Sequence, residues 1–504
     1  LATAGLAFSV YLLTLAPGLT WANFGADGGE LLAAAVVNGI PHPPGYPLYT
    51  VLLRGWLALW GWLLPGSDLA WRGNLFSATA AALSVGITAH LVYRLAEGAP
   101  QRWLRALVVA LAWALSPLLW GQALITEVYA LHALLFTLLA WVLLVYRPRS
   151  LAQHGWTLGA VIGLGVAHHL TFALLLPAAL YWLWRNEDRP LCRGRFWLWG
   201  ALGMAIPLLL YLRIPWAAAA VPPVNWGYAV TPADFWWLIS GAAYRHYLFG
   251  VEPSMLLARL SQWASVISTQ YTPVGFGVAI AGLYALDLHQ PRWRNFSLLW
   301  VLPVSVYTIT YNTLDSQVYL LPVIWLLAFW LPEGITMLSQ FLVRWLPVQV
   351  EIGRWGLVAA VGGLLILTAV RSSHYSLHTD QEAVDYLHAL VQTLEPGSLV
   401  LSSADAETFT LWYGTYATGE ISEAAPDSVL INVALYQFPW YRRLLVDLYP
   451  DLPGVGSATV DSILDANLGQ RPIYFTEVIA PATKEQLKAS GLLWRYLPDS
   501  SLQQ

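Results

Sequence analysis

Two acids and an imidazole stand close together in a proline-rich stretch: Asp27, Glu30 and His42 in DGGELLAAAVVNGIPHPPGYPLY, residues 27–49. A carboxylate held partly out of water gains basicity and can take the proton of a hydroxyl, which is the work of a general base. An imidazole can orient such an acid or contact a phosphate. Pro41, Pro43, Pro44 and Pro47 stiffen the stretch, because each fixes φ and removes a donor. His42 precedes a proline and is pushed toward extended backbone. Gly28 and Gly29 clear side-chain bulk beside Asp27, as chains do where another group comes close. The same spacing also fits helix capping, with Asp27 as N-cap of a helix starting at Gly28 and Glu30 closing an acidic capping box. One residue can do both.

Other polar residues recur near the ends of apolar runs. Glu127 opens one run, His168 and His169 close another, and Asp315 begins a third, where it is either an N-cap or a site acid. Ionisable groups at such places are candidates for a site, although a polar residue at a helix end is also unremarkable as structure. Arg54, Arg72, Arg213 and Arg245 lie on the same side by the same count. Each either snorkels or offers a fork to phosphate oxygens, and spacing does not choose among them. The pattern supports no metal site: histidines are scattered and there is no DxD string.

The elements that must position these groups are membrane helices. The chain has 504 residues, 57% hydrophobic and 11% charged, with a mean hydropathy of +0.55. Soluble chains carry roughly a quarter charged residues. Runs long enough to cross a bilayer as helices fall near 1–15, 74–93, 104–120, 128–146, 156–170, 171–184, 196–213, 262–287, 296–311, 317–331 and 355–370, about eleven in all. An amphipathic piece at 334–347 is either a further span or a surface helix, and 47–64, interrupted by Arg54, reads as a helix lying in the interface. Arg94, Arg102, Arg105, Arg147, Arg149, Arg185, Arg189, Arg193, Arg195, Arg292, Arg294, Arg344 and Arg354 fall in alternate connections, which places those inside. The Asp27 stretch then faces outward, as does everything after Arg371.

This gives an α-helical polytopic domain over 1–371, with outer loops at 16–73 and 215–260, and a smaller α/β domain over 372–504 outside the membrane. The second outer loop is rich in aromatics and is expected to pack over the first. In the C-terminal part, helices at 379–394, 406–413, 439–448 and 457–468 alternate with strands at 398–402, 429–434 and 472–475, a pattern for a mostly parallel sheet. A net charge of −4 leaves no basic footprint for nucleic acid, and one cysteine, Cys192, excludes an internal disulfide framework.

With these residues in hand, the chain resembles the DUF2723 family of multi-spanning proteins, which includes the TMEM260-type protein O-mannosyltransferases. ADGGELLAAAVVNGIPHPPGYPLY is similar to the family's D-x-G-E followed by H-P-P-G-x-P-L. RGNLFSATAAAL, ITEVYALHALL, GLGVAHHLTF, PPVNWGYAVTPADFWWLISGAAYR and NTLDSQVYLLP look like later blocks, and SADAETFTLWYG, INVALYQFPWY and RPIYF like the outer domain of bacterial members. The resemblance implies a GT-C-type bundle in a cell membrane, inner or plasma, with its active site at the outer leaflet. It implies an inverting glycosyltransferase, with a sugar on a polyprenyl phosphate as donor and a glycan or protein hydroxyl as acceptor. No added cofactor is required by that chemistry. The essential acid of the first outer loop in such enzymes falls on Asp27, with Glu30 beside it. Two departures stand out: there is no counterpart of the animal members' helical-repeat tail, and YLRIPWAAAA places Arg213 before Pro215 instead of after the proline. The other classes open at this point are a transporter or flippase of a lipid-linked saccharide and a non-catalytic membrane scaffold. Ionisable groups at span ends, not at the midplane, weigh against transport.

Overall fold

The computed structural model describes residues 1–343 and 352–497. Among them, four helices are long and apolar enough to cross a membrane: Leu69–Leu95, Gly194–Ala219, Ser316–Val343 and Gly353–Tyr375. Two bent pairs raise the count to six if each is one span. By length and apolarity, four to six of the expected eleven spans are met among the described residues, in a multi-pass membrane protein. Ala2–Thr14, Tyr129–Leu144 and Leu170–Trp184 are apolar but shorter.

The bends have local causes. Arg102–Ala114 and Pro117–Ala123 meet at 63°, where Ser116 is extended and Pro117 takes the first helical position, a place that needs no N–H. The run at 262–287, read as one span, is two helices, Pro253–Gln270 and Thr272–His289, crossing at 96°. Thr272 has φ of 63° and precedes Pro273, and a helix does not continue through that conformation. The 334–347 piece is not a separate element as far as it is described: Leu321–Val343 runs on as one helix, and Arg344 lies outside the described residues.

Small residues let the helices close up. Helix Leu151–His168 lies along Gly194–Leu208, and a Cβ at Gly159 would come within 2.0 Å of the Gly200 carbonyl oxygen. Apolar surface gives helices no reason to associate in lipid, so backbone approach of this kind supplies dispersion contact instead.

The segment 47–64 does form a helix, Pro47–Leu63, with Val51, Leu52, Leu59 and Trp62 exposed. The second loop packs over the first as expected: Ile40 N–H donates to the Val224 carbonyl at 2.9 Å and Trp226 N–H to the Ile40 carbonyl at 3.1 Å.

The C-terminal part carries a five-stranded sheet. Strands β1 (Leu399–Ser402), β2 (Val429–Asn432) and β3 (Ile473–Phe475) pair in parallel, and a hairpin of β4 (Leu487–Ser490) and β5 (Leu493–Tyr496) adds an antiparallel edge, giving the order β2-β1-β3-β5-β4. The parallel strands are fully buried and read as continuous apolar runs. The hairpin had no such signature: Lys488, Arg495 and Ser490 break its pattern.

This sheet domain is seated on the Asp27 end of the bundle. Thr20 donates to the Asp380 carboxylate, Trp21 Nε1 donates to Thr410 Oγ1 at 3.1 Å, and Arg443 pairs with Asp234 at 2.7 Å. Trp237 packs on Phe438 and Trp440, with ring centroids 5.4 and 5.7 Å apart. Gly29 marks a close approach: a Cβ there would clash with the Phe409 carbonyl oxygen, on helix Asp405–Trp412. The glycine pair makes room for the chain's own domain and, at Gly28, for Thr126.

Candidate active site

Asp27 ends a 3-10 run, Ala22–Asp27, and helix Gly28–Val36 follows at once. The helix starts where expected, but Asp27 makes no capping hydrogen bond. A cap needs extended backbone, and Asp27 has helical φ and ψ of −69° and −14°. Glu30 does not reach back to close a capping box either. Its carboxylate, fully buried, reaches forward to His42: Oε1 accepts from the His42 backbone N–H at 3.1 Å and Oε2 lies 2.5 Å from Nδ1.

The opposite edge of the imidazole faces Tyr46 and Asp27. His42 Nε2 lies 3.1 Å from Tyr46 Oη and 3.7 Å from Asp27 Oδ2. The turn that permits this uses left-handed backbone at Gly45, φ 84°, and Tyr46, φ 37°, with Gly45 N–H donating to the His42 carbonyl at 2.8 Å. The result is a line of three groups: a sealed acid, a ring fixed at both nitrogens, and a second acid whose side chain keeps 33% of its exposure.

Charge follows burial. Loss of solvation pushes the Asp27 carboxyl up to about 6; His42 opposes this, while Glu30 and Asp315 add to it. Burial alone would lower His42, but the charges of Glu30 and Asp27 win and hold it up at about 10. Burial raises Glu30, with His42 pulling it back. Near neutral pH His42 is therefore an imidazolium, and Asp27 is the partly open acid of the line.

Two further candidates join this group. Glu127 is buried, accepts from Val128 N–H at 2.8 Å, and is pushed well above the usual carboxylate range by burial and then by Asp27. Asp315 precedes the 3-10 turn Ser316–Leu320 without capping it and acts electrostatically on Asp27. His169 approaches Tyr46, with ring centroids 5.7 Å apart, while His168 points Nε2 at the Val128 carbonyl, 2.9 Å away.

Three of the four arginines are held elsewhere. Arg54 donates to the Ala35 and Val36 carbonyls at 2.8 and 2.7 Å, finishing helix Gly28–Val36. Arg213 donates to Asn38 Oδ1 and the Gly39 carbonyl, and Arg72 to Ser67. Arg245 is exposed, donates to Ser240 Oγ at 2.8 Å, and follows Tyr244, whose ring centroid lies 6.3 Å from that of His42.

Tyr46, Tyr319, Tyr311, Tyr247 and Tyr244 were not singled out by sequence, and they join His42 and His169 here. His42, Tyr46, His169, Tyr319, Tyr311, Tyr247 and Tyr244 form a closed circuit of ring contacts, each step between 5.1 and 6.3 Å. Tyr46 lies four residues after His42 in the quoted block, and that spacing was the available signal. Asp405, at the start of helix Asp405–Trp412, is exposed, yet crowding and then the charge of Asp27 push its carboxyl upward. Nothing local could announce it, because a different domain brings it there.

Residues 27–191 match the family model described as the Protein O-mannosyl-transferase TMEM260 N-terminal domain. This stretch is similar to the TMEM260 N-terminal domain. The match opens at Asp27 itself, and the resemblance drawn from sequence is borne out. Across 492 residues the chain is 23% identical to mouse Protein O-mannosyl-transferase TMEM260, covering 89% of this chain and 64% of that one. Identity to the Dictyostelium discoideum TMEM260 protein is 21%, covering 92% and 62%. The chain thus spans just under two thirds of the length of these TMEM260 relatives. Its fold is that of ArnT from Cupriavidus metallidurans, solved bound to undecaprenyl phosphate, with a TM-score of 0.59, 14% identity, and coverage of 99% of this chain and 98% of that one. The expected GT-C-type architecture is thereby met at the level of fold.

Proposed function

We propose that this chain is a membrane glycosyltransferase that moves a sugar from a polyprenyl-phosphate carrier to an acceptor hydroxyl, on a glycan or a protein, at the outer face. Asp27 is the base. It takes the hydroxyl proton as the acceptor oxygen attacks the anomeric carbon and the bond to the lipid phosphate breaks on the opposite side, inverting that carbon. The lipid phosphate leaves with the bonding electrons. Positioning and charge stabilisation suffice, because the leaving group is already a good one.

The observation that carries this reading is the Glu30–His42–Asp27 line, with His42 Nδ1 2.5 Å from Glu30 and Nε2 3.7 Å from Asp27. Glu30 and His42 are positioning residues. Arg245 is the cation assigned to the lipid phosphate, since it alone of the four arginines is exposed next to a residue ringed around His42. The tyrosine circuit gives the sugar apolar faces and phenol edges on which to rest. Residues 1–371 form the catalytic bundle, with loops 16–73 and 215–260 on the outer side, and 372–504 the outer domain that covers it. The names of the TMEM260 relatives favour mannose as the sugar and a protein hydroxyl as the acceptor.

Purified protein mixed with radiolabelled polyprenyl-phosphate mannose and a panel of acceptors tests the proposal. Label in a covalent product supports it. Label that crosses a vesicle membrane still attached to its lipid would assign transport instead.

A further inference from the structure

A second site lies at the far end of the bundle. Helix Leu176–Trp184 continues from the turn Leu170–Leu175, which starts beside His169, so Trp184 and Arg185 lie at the end away from Tyr46. Helix Pro291–Thr310 likewise finishes at Tyr311, whose ring contacts Tyr247, and its 20 residues put Arg292 about 30 Å from there. The two helices pack together, and their far ends enclose a cleft of about 580 Å³.

The cleft is lined by Trp182, Trp184, Arg185, Arg292, Trp293 and Asn295, among others, with no carboxylate in the lining. Arg292 lies over Trp182, its guanidinium carbon 4.1 Å from the ring centroid, and Nη2 donates to the Trp182 carbonyl at 3.2 Å. Its Nε is buried with no partner. Arg185 is exposed beside it, and Trp184 keeps 66% of its exposure. Glu187, on the next turn and outside the lining, favours the charged form of Arg292. Arg294 is neutralised by Asp287 and bonds Asn295, so it takes no part. Two arginines, one of them holding an unsatisfied buried donor, thus stand in an indole-walled notch between two helices in a membrane protein.

Indoles sit at headgroup depth, and guanidinium forks match phosphate oxygens. Basic notches between membrane helices hold anionic lipid headgroups. We infer that this cleft binds the phosphate headgroup of an anionic phospholipid, with Arg292 and Arg185 on the phosphate oxygens and Trp182, Trp184 and Trp293 around the glycerol and upper chains. The inference does not depend on the chemistry at Asp27. It gives the bundle a lipid clamp on the face opposite its candidate active site.

Native mass spectrometry of the full chain in detergent, titrated with phosphatidylglycerol, phosphatidylcholine or inorganic phosphate, tests it. Phosphatidylglycerol is expected to be retained preferentially. Each lost arginine should weaken retention about five-fold, so Arg185→Ala gives that loss and Arg185→Ala with Arg292→Ala roughly thirty-fold. Arg185 is exposed, so its single variant remains informative if the double variant folds poorly. Equal retention of the two lipids, or no change in Arg185→Ala, would overturn the site. Inorganic phosphate held as tightly as the lipid would overturn the lipid as its occupant.

Discussion

Asp27 and Glu30, three residues apart, engage opposite nitrogens of one imidazole: Glu30 Oε2 lies 2.5 Å from His42 Nδ1, and Asp27 Oδ2 lies 3.7 Å from Nε2. The sealed acid therefore fixes the ring, and the ring fixes the position and charge of the open one. Glu30→Gln should keep the loop's shape but lose the strong anchor on His42. Loss of kcat is expected at roughly 10²-fold, with KM little changed, since a small misplacement of a reacting group has that effect. Steady-state kinetics check this, and a change confined to KM would contradict it.

On the proposed mechanism, acid should silence transfer through Asp27. Its carboxyl is raised to about 6, so kcat/KM should climb as pH passes through that value and the base loses its proton. Asp315 contributes to that rise. Asp315→Asn should move the limb of the pH profile to lower pH, and a profile that stays in place would remove Asp315 from the charge network.

Stability has its own pH window. His42 is held at about 10 in the folded protein against an ordinary 6.5. A raised folded value means the contribution is full below about pH 6.5 and is lost as pH climbs toward 10. Thermal unfolding of wild type should drop across that window, and His42→Gln should flatten the drop. A wild-type Tm constant from pH 6.5 to 10 would contradict the imidazolium.

Seating of the sheet domain rests on Gly29. In Gly29→Ala the new methyl meets the Phe409 carbonyl, a backbone atom with no rotamer to yield. The expected loss is about 1–3 kcal/mol, and limited proteolysis should cut between the bundle and the sheet domain sooner than in wild type. Unaltered proteolysis would mean that the helix at Asp405–Trp412 shifts at no cost.

Arg245→Ala should raise KM for the lipid-linked donor with a smaller change in kcat, because removal of one exposed charge-assisted contact weakens ground-state binding. An unchanged KM would send the search for the phosphate ligand to another cation.

How far the sequence could carry these conclusions depended on range. Local features were legible: the start of helix Gly28–Val36, the helix at Pro439–Leu448 and the parallel strands all sit in short windows with clear apolar patterns. Helix lengths and bends were less legible, because hydropathy does not register a backbone break such as Thr272, nor the difference between a long helix and a short apolar one. Glu30 was paired with the wrong partner. Capping is the local option for such an acid, and the 12-residue reach to His42 depends on the turn at Gly45 and Tyr46. Asp405 was out of reach altogether, since only the docking of the sheet domain brings it toward Asp27.

The most direct measurement is single-turnover transfer from radiolabelled polyprenyl-phosphate sugar by wild type and by Asp27→Asn, at pH 7.5 and at saturating acceptor. The substitution keeps the size of the side chain and removes its ability to take a proton. The chemical step is expected to slow by roughly 10²- to 10⁴-fold, the usual share of a general base, while binding of the donor persists. Equal rates for the two proteins would contradict the assignment of Asp27 as the base.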